Sequence, residues 1–275
     1  MKTYRKQEIF LLVDSMYKQI GMSKFPVSIK FLNLFFSRFY NIKYVKYSDL
    51  MRSTGKDFNS ICKMLKTQNA RMIYDSSENI YYIYYNDFMP KPRCRWNIVH
   101  ELAHLYLGHA IIELNAINLG LRTTKKQQED FEAEANFFAK CCLAPYAVVI
   151  GLACYHGQIH NEGFYTILRV FLGLSKESSF YIATNLSKLK KFGLTSKDFM
   201  PYLTYLKEKL ELFPKGSLDN NSILRYKYEF YNTEYAIAHS SGALQHNSWE
   251  FVSVEEILSV LRSEYEVSWS KSFIA

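Results

Sequence analysis

Hydrophobic positions recur at helical spacing through residues 5–21, which read as an amphipathic helix ending near Gly21. Phe25-Pro26 breaks the chain; residues 27–40 read as a second apolar helix and 41–47 as a short strand. Residues 48–65 read as helical or mixed. The period then changes. Residues 70–75 and 80–86 are β-like runs separated by Ser76-Ser77-Glu78-Asn79, a turn composition, so a hairpin is expected. In the second run Tyr81, Ile83 and Tyr85 face one way, and Ile80, Tyr82 and Tyr84 the other. Both sets are apolar or aromatic, which predicts cover on both faces. Pro90 and Pro92 mark a loop into a helix over 95–107, and Gly108 is placed to stop it. Another helix spans 129–143 and ends before Pro145. Two more fall within 160–195, with a basic, exposed stretch at 187–191, and another covers 201–212. The tail differs: 224–231 and 234–238 alternate like strands, Ser240-Ser241-Gly242 reads as a turn, and 254–265 as a final helix. The pattern is α+β, without internal repeats.

Composition bounds the function classes. A chain of 275 residues with 48% apolar content holds one large domain or two smaller ones. The expected organisation is a core over 1–150, a helical region over 151–200 packed on or next to it, and a C-terminal α+β segment over 201–275. The net charge of +8 is spread out, and the clusters Lys91/Arg93/Arg95 and Lys188/Lys190/Lys191 are too short for a nucleic-acid arm. A solvated basic surface is expected, not direct nucleic-acid binding. The cysteines, Cys62, Cys94, Cys141, Cys142 and Cys154, are odd in number and lack a C-x-x-C pair, which fits reduced thiols in the cytoplasm. MKTYRKQEIF has no signal-peptide core, and the longest apolar run, 141–155, contains Pro145 and is too short to span a membrane.

The chemistry begins at His100-Glu101-Leu102-Ala103-His104. On a helix, positions i and i+4 share a face, so His100 and His104 can offer two imidazole nitrogens to one metal ion. Glu101 sits about 100° round the helix, beside such an ion, where a general base takes a proton from water. Chance places H-E-x-x-H in roughly one of a hundred chains of this composition, so the match needs further support.

A catalytic zinc usually takes three protein ligands. His109, Glu113, Glu129, Glu132 and Glu134 are within reach in sequence. On a continuous helix His109 lies about 180° from His100, although a break at Gly108 brings it nearer. The metzincin spacing fails by one residue, since Gly stands eight and His nine positions after His100. On the later helix Phe131, Ala135, Phe138 and Cys142 form a buried stripe, flanked by Glu132 and Glu134. Either acid could be pulled inward, and a buried acid needs a partner. Asn136, one turn beyond Glu132, could hydrogen-bond a ligating histidine, whereas Glu134 has no polar neighbour in sequence; Glu132 is favoured and Glu134 is the alternative.

Arg95-Trp96-Asn97-Ile98-Val99 followed by HELAHLYLGH, with EAEANFFAKCCLAP some thirty residues on, resembles the ImmA/IrrE family of metallopeptidases. The resemblance covers residues 5 to about 150, with an outer limit at 195. It implies a mainly helical, zincin-like metallopeptidase core with a small antiparallel sheet; the C-terminal α+β extension lies outside the resemblance and is read from the alternation pattern alone. It maps zinc, or another divalent metal such as Mn2+, onto His100, His104 and Glu132, and the base onto Glu101. It also implies a regulatory protease whose protein substrate is a helix-turn-helix DNA-binding repressor. Cys142-Leu143-Ala144-Pro145 stands where the family usually has Leu-Leu-Met-Pro, a change of packing. The rival class is a non-catalytic metal-containing regulator, antitoxin-like, that sequesters its partner. Core packing is the favoured account of the aromatic strand at 80–86, with an edge for substrate to pair with as the alternative.

Overall fold

A computed structural model of the chain describes residues 3–20, 25–118, 122–146, 148–149, 152–153 and 162–184. All lie in the first of two units, Met1–Leu203 and Thr204–Ala275. The elements expected over 201–275, and the basic stretch at 187–191, fall outside the described residues.

Helix α1 (Thr3–Ile20) buries Ile9, Val13, Met16 and Tyr17, spaced for one face. It packs on the long helix α7 (Lys125–Leu143), where the Tyr17 hydroxyl donates to the Cys142 carbonyl. Helix α2 (Ile29–Phe36) opens at Ser28, whose hydroxyl accepts from the Phe31 N–H at 3.1 Å. Its Phe35 and Phe36 meet the ring of Tyr106 edge-on, at 5.4 and 5.7 Å.

The sheet has the order β1-β3-β2, from β1 (Ile42–Lys46), β2 (Ala70–Asp75) and β3 (Ile80–Tyr85). The hairpin of β2 and β3 forms as expected. The sheet is mixed, not antiparallel, because β1 runs parallel to β3. The intervening chain, through α3 (Tyr47–Thr54), α4 (Phe58–Leu65) and β2, is long enough for the crossover a parallel pair requires. Strand β3 is therefore central, with neighbours on both sides and no free edge, which excludes the alternative of an edge for substrate and agrees with the favoured reading of a packed strand. That edge belongs to β2. Cover on β3 is fullest at Ile80 and Ile83, while its four tyrosines are half-buried. Tyr84 packs against a cluster of Tyr47, Ile61, Cys62 and Leu65 beneath α3 and α4.

Helix α5 (Lys91–Tyr106) lies against both β2 and β3. It starts four residues before the expected point. Pro90 caps it and Pro92 sits in the first turn, where a missing N–H costs nothing. Gly108, at φ 78°, ends it as expected. The chain re-enters helix at once as α6 (His109–Asn118), an unexpected element. Helix α7 begins at Lys125, four residues early, on a capping box between Thr124 and Gln127. Helices α8 (Glu162–Leu172) and α9 (Lys176–Thr184) follow. Arg95 of α5 donates to the carbonyls of Leu172 and Gly173 at the end of α8. Among the described residues no helix is long and apolar enough to cross a membrane.

Candidate metal centre

Helices α5 and α7 pack together, with Leu102, Ala103, Ala135, Phe138 and Ala139 fully buried. Alanine on both helices lets the backbones come close, so side chains projecting at the edge of this contact converge. His100 Nε2 lies 3.1 Å from His104 Nε2. Glu132 sends one oxygen to within 3.1 Å of His100 Nε2 and the other to 3.5 Å from His104 Nε2. Ligand atoms at about 2.0–2.1 Å around a tetrahedral zinc stand about 3.3 Å apart, so the three groups already have the separation such an ion needs. Two imidazoles and a carboxylate are also a donor set suited to divalent transition metals, and His100, His104 and Glu132 could hold one.

The electrostatics follow from this crowding. Bonds from His100 and then His104 hold the Glu132 carboxyl well below the usual carboxylate range, against the opposing pull of burial. Burial disfavours a charged His100, but Glu132 and Glu101 outweigh it and raise its pKa. Asn136 adds a lesser push in the same direction. That push comes through a side-chain hydrogen bond to His100, as expected of Asn136; the buried Nδ1 of His100 has no hydrogen-bond partner among the described residues.

Glu101 stands beside the trio and is not part of it. Its Oε2 accepts the backbone N–H of Met72, 2.8 Å away, on the free side of β2. Burial raises its pKa, although the charges on His104 and His100 draw it down. These groups open onto a cleft of about 590 Å³. Arg71, Tyr74, Tyr81, Arg93 and Trp96 line it as well.

The two candidate acids separate cleanly. The Glu132 side chain is 60% exposed, so burial is not what marks it as a ligand. Glu134, at 13%, is the buried one, and it does have polar partners. Arg5 of α1 donates to its Oε2 from Nε at 3.0 Å and Nη2 at 2.8 Å. His109 Nε2 lies 3.1 Å from the same oxygen. Glu134 is thus occupied away from the trio, and the expectation that it lacks a polar neighbour is corrected. The break at Gly108 swings His109 back so that its Nδ1 sits 3.2 Å from His104 Nδ1, behind the trio and outside it. Glu113 lines the outer cleft, and Glu129 pairs with Lys125 at 4.0 Å on the surface. Sequence alone did not reach Met72, which acts through its backbone, or Arg5, which lies 129 residues from its partner.

Residues 60–179, under half of the chain, match the family model for Peptidase M78, the IrrE N-terminal-like domain. The match begins within α4 and runs through the hairpin and the helices that carry the trio, into α9. No curated protein matches the chain.

Proposed function

We propose, on the premise that residues 60–179 belong with the ImmA/IrrE metallopeptidases, that the chain is a zinc-dependent endopeptidase that cleaves a helix-turn-helix repressor in the cytoplasm. The observation that carries this reading is the approach of His100 Nε2, His104 Nε2 and the Glu132 carboxylate to within 3.1–3.5 Å of one another, next to Glu101. His100, His104 and Glu132 would hold zinc, or manganese on the same donors. Held by these three side chains, such an ion would supply Lewis acidity toward a peptide carbonyl and toward water.

The remaining steps fall to the chain's own groups. Glu101 takes the proton from water and returns it to the departing amine, a task suited to a carboxylate whose pKa burial has raised. Strand β2 is an edge strand along the cleft, and apart from the Met72 N–H that Glu101 holds, an extended peptide can add to that edge as a fourth strand. A regulator that only sequesters its partner would have no use for a buried carboxylate beside the trio, which favours the catalytic reading.

The repressor as substrate rests on the family resemblance, and the net charge of +8 is compatible with work close to DNA-bound partners. The catalytic unit is residues 1–150, with 151–200 beside it, an organisation supported by the Arg95 bonds to the end of α8. Residues 201–275 are a recognition or regulatory segment. The test is Glu101→Gln, assayed for zinc content and for cleavage of a purified repressor. Retained zinc with cleavage abolished is expected; cleavage at the wild-type rate overturns the assignment.

A further inference from the structure

Behind the trio, four side chains from four helices form a line: Arg5 of α1, Glu134 of α7, His109 of α6 and His104 of α5. The links are Arg5 Nη2 to Glu134 Oε2 at 2.8 Å, Glu134 Oε2 to His109 Nε2 at 3.1 Å, and His109 Nδ1 to His104 Nδ1 at 3.2 Å.

The direction of every bond in this line follows from its first member. A guanidinium only donates, so the Glu134 oxygen that receives two of its N–H groups is an acceptor. The same oxygen therefore accepts from His109, which must carry its proton on Nε2. His109 is 1% exposed and stacks flat on Phe131, with centroids 4.3 Å apart and planes 13° from parallel. So dry a ring, beside a carboxylate whose charge Arg5 already balances, is held in its neutral form. With one proton, on Nε2, its Nδ1 is a bare lone pair. His104 must then donate from Nδ1, which leaves its Nε2 unprotonated, and that nitrogen points at His100 and Glu132.

We infer that Arg5, Glu134 and His109 are positioning residues that lock His104 in the one tautomer able to bind a metal through Nε2. The inference rests on the metal reading above and adds to it. It sets the two histidines apart: His104 is pre-ordered, whereas His100, with Nδ1 unpartnered, is not. It also gives α1 a task at the centre although α1 lies outside the matched residues. A hydrogen-bonded partner behind a ligating histidine fixes ring and tautomer, and its loss usually weakens metal binding by about 10–100-fold.

Two measurements on the full-length chain test this. The first is imidazole 15N NMR, before and after zinc is added, to find which nitrogens carry protons. His109 protonated on Nε2 in both states, with His104 protonated on Nδ1, is expected. A proton on His109 Nδ1 overturns the relay. The second is zinc affinity by competition with a chelator. His109→Leu should bind about 10–100-fold more weakly. His109→Gln, whose amide can both accept and donate, should recover most of that loss, and Arg5→Met should weaken binding in the same direction as His109→Leu. Equal affinity in wild type and His109→Leu overturns the relay. If the wild type takes up no zinc, the metal reading fails, and the tautomer of His109 still decides the relay.

Discussion

The backbone N–H of Met72 donates to Oε2 of Glu101 across 2.8 Å, joining the edge strand of the sheet to the acidic residue of the H-E-x-x-H helix. Strand β2 is bonded to β3 on one side only, so this N–H spends no ladder bond and is free to orient the carboxylate. Met72→Pro removes the donor at a position where an edge strand tolerates proline. A hydrogen bond to a charged group contributes about 1.5–3 kcal/mol, so cleavage should fall about 10–100-fold while zinc content and circular dichroism are retained. Wild-type cleavage by a folded variant would show that Glu101 does not depend on this bond.

The turn between α8 and α9 depends on Gly173. Its φ is 59°, and a Cβ there would stand 2.2 Å from Arg95 Nη1. Both the left-handed backbone and the close approach exclude a side chain, and the second would push Arg95 off the end of α8. Gly173→Ala should cost about 2 kcal/mol, on the order of 5 °C in Tm, by thermal denaturation. An unchanged Tm would show that α8 is not held in this way.

Two adjacent buried thiols should make the protein sensitive to alkali. Burial pushes Cys141 up to about 12, with Lys140 and Tyr146 drawing it down, and Cys142 is also raised. The folded state keeps protons that the unfolded chain loses above about pH 8.5. This stability is fully present below that pH and is lost as pH rises toward 12, at about 1.4 kcal/mol per pH unit for each thiol. Urea unfolding at pH 8 and pH 10.5 should show a decline about 2 kcal/mol smaller in Cys141→Ala than in wild type. Equal declines would mean that the thiol ionises freely in the folded protein.

What could be read from the sequence was local. The spacing of His100, Glu101 and His104, the stop at Gly108, the turn at 76–79 and the stripe Phe131–Cys142 each depend on neighbours within a few residues. Two helices start four residues before their apolar pattern does, because Pro90 and Pro92 have the composition of a loop while opening α5, and because α7 begins on the polar capping pair Thr124 and Gln127. The parallel pairing of β1 with β3 depends on a crossover that no local pattern records. Asn136 does act on His100, as its place one turn beyond Glu132 suggests, but burial does not single out Glu132, which is the more exposed of the two acids. What separates them is Arg5, which takes up Glu134, and nothing near residue 134 in sequence points to residue 5.

The central claim is that His100, His104 and Glu132 together hold one metal ion. Zinc content per chain, measured by elemental analysis on wild type and Glu132→Ala after dialysis against a weak chelator, tests it most directly. One zinc per wild-type chain and on the order of a hundredfold weaker retention in the variant are expected. Equal zinc in the two proteins would contradict it, because the third ligand would then lie elsewhere.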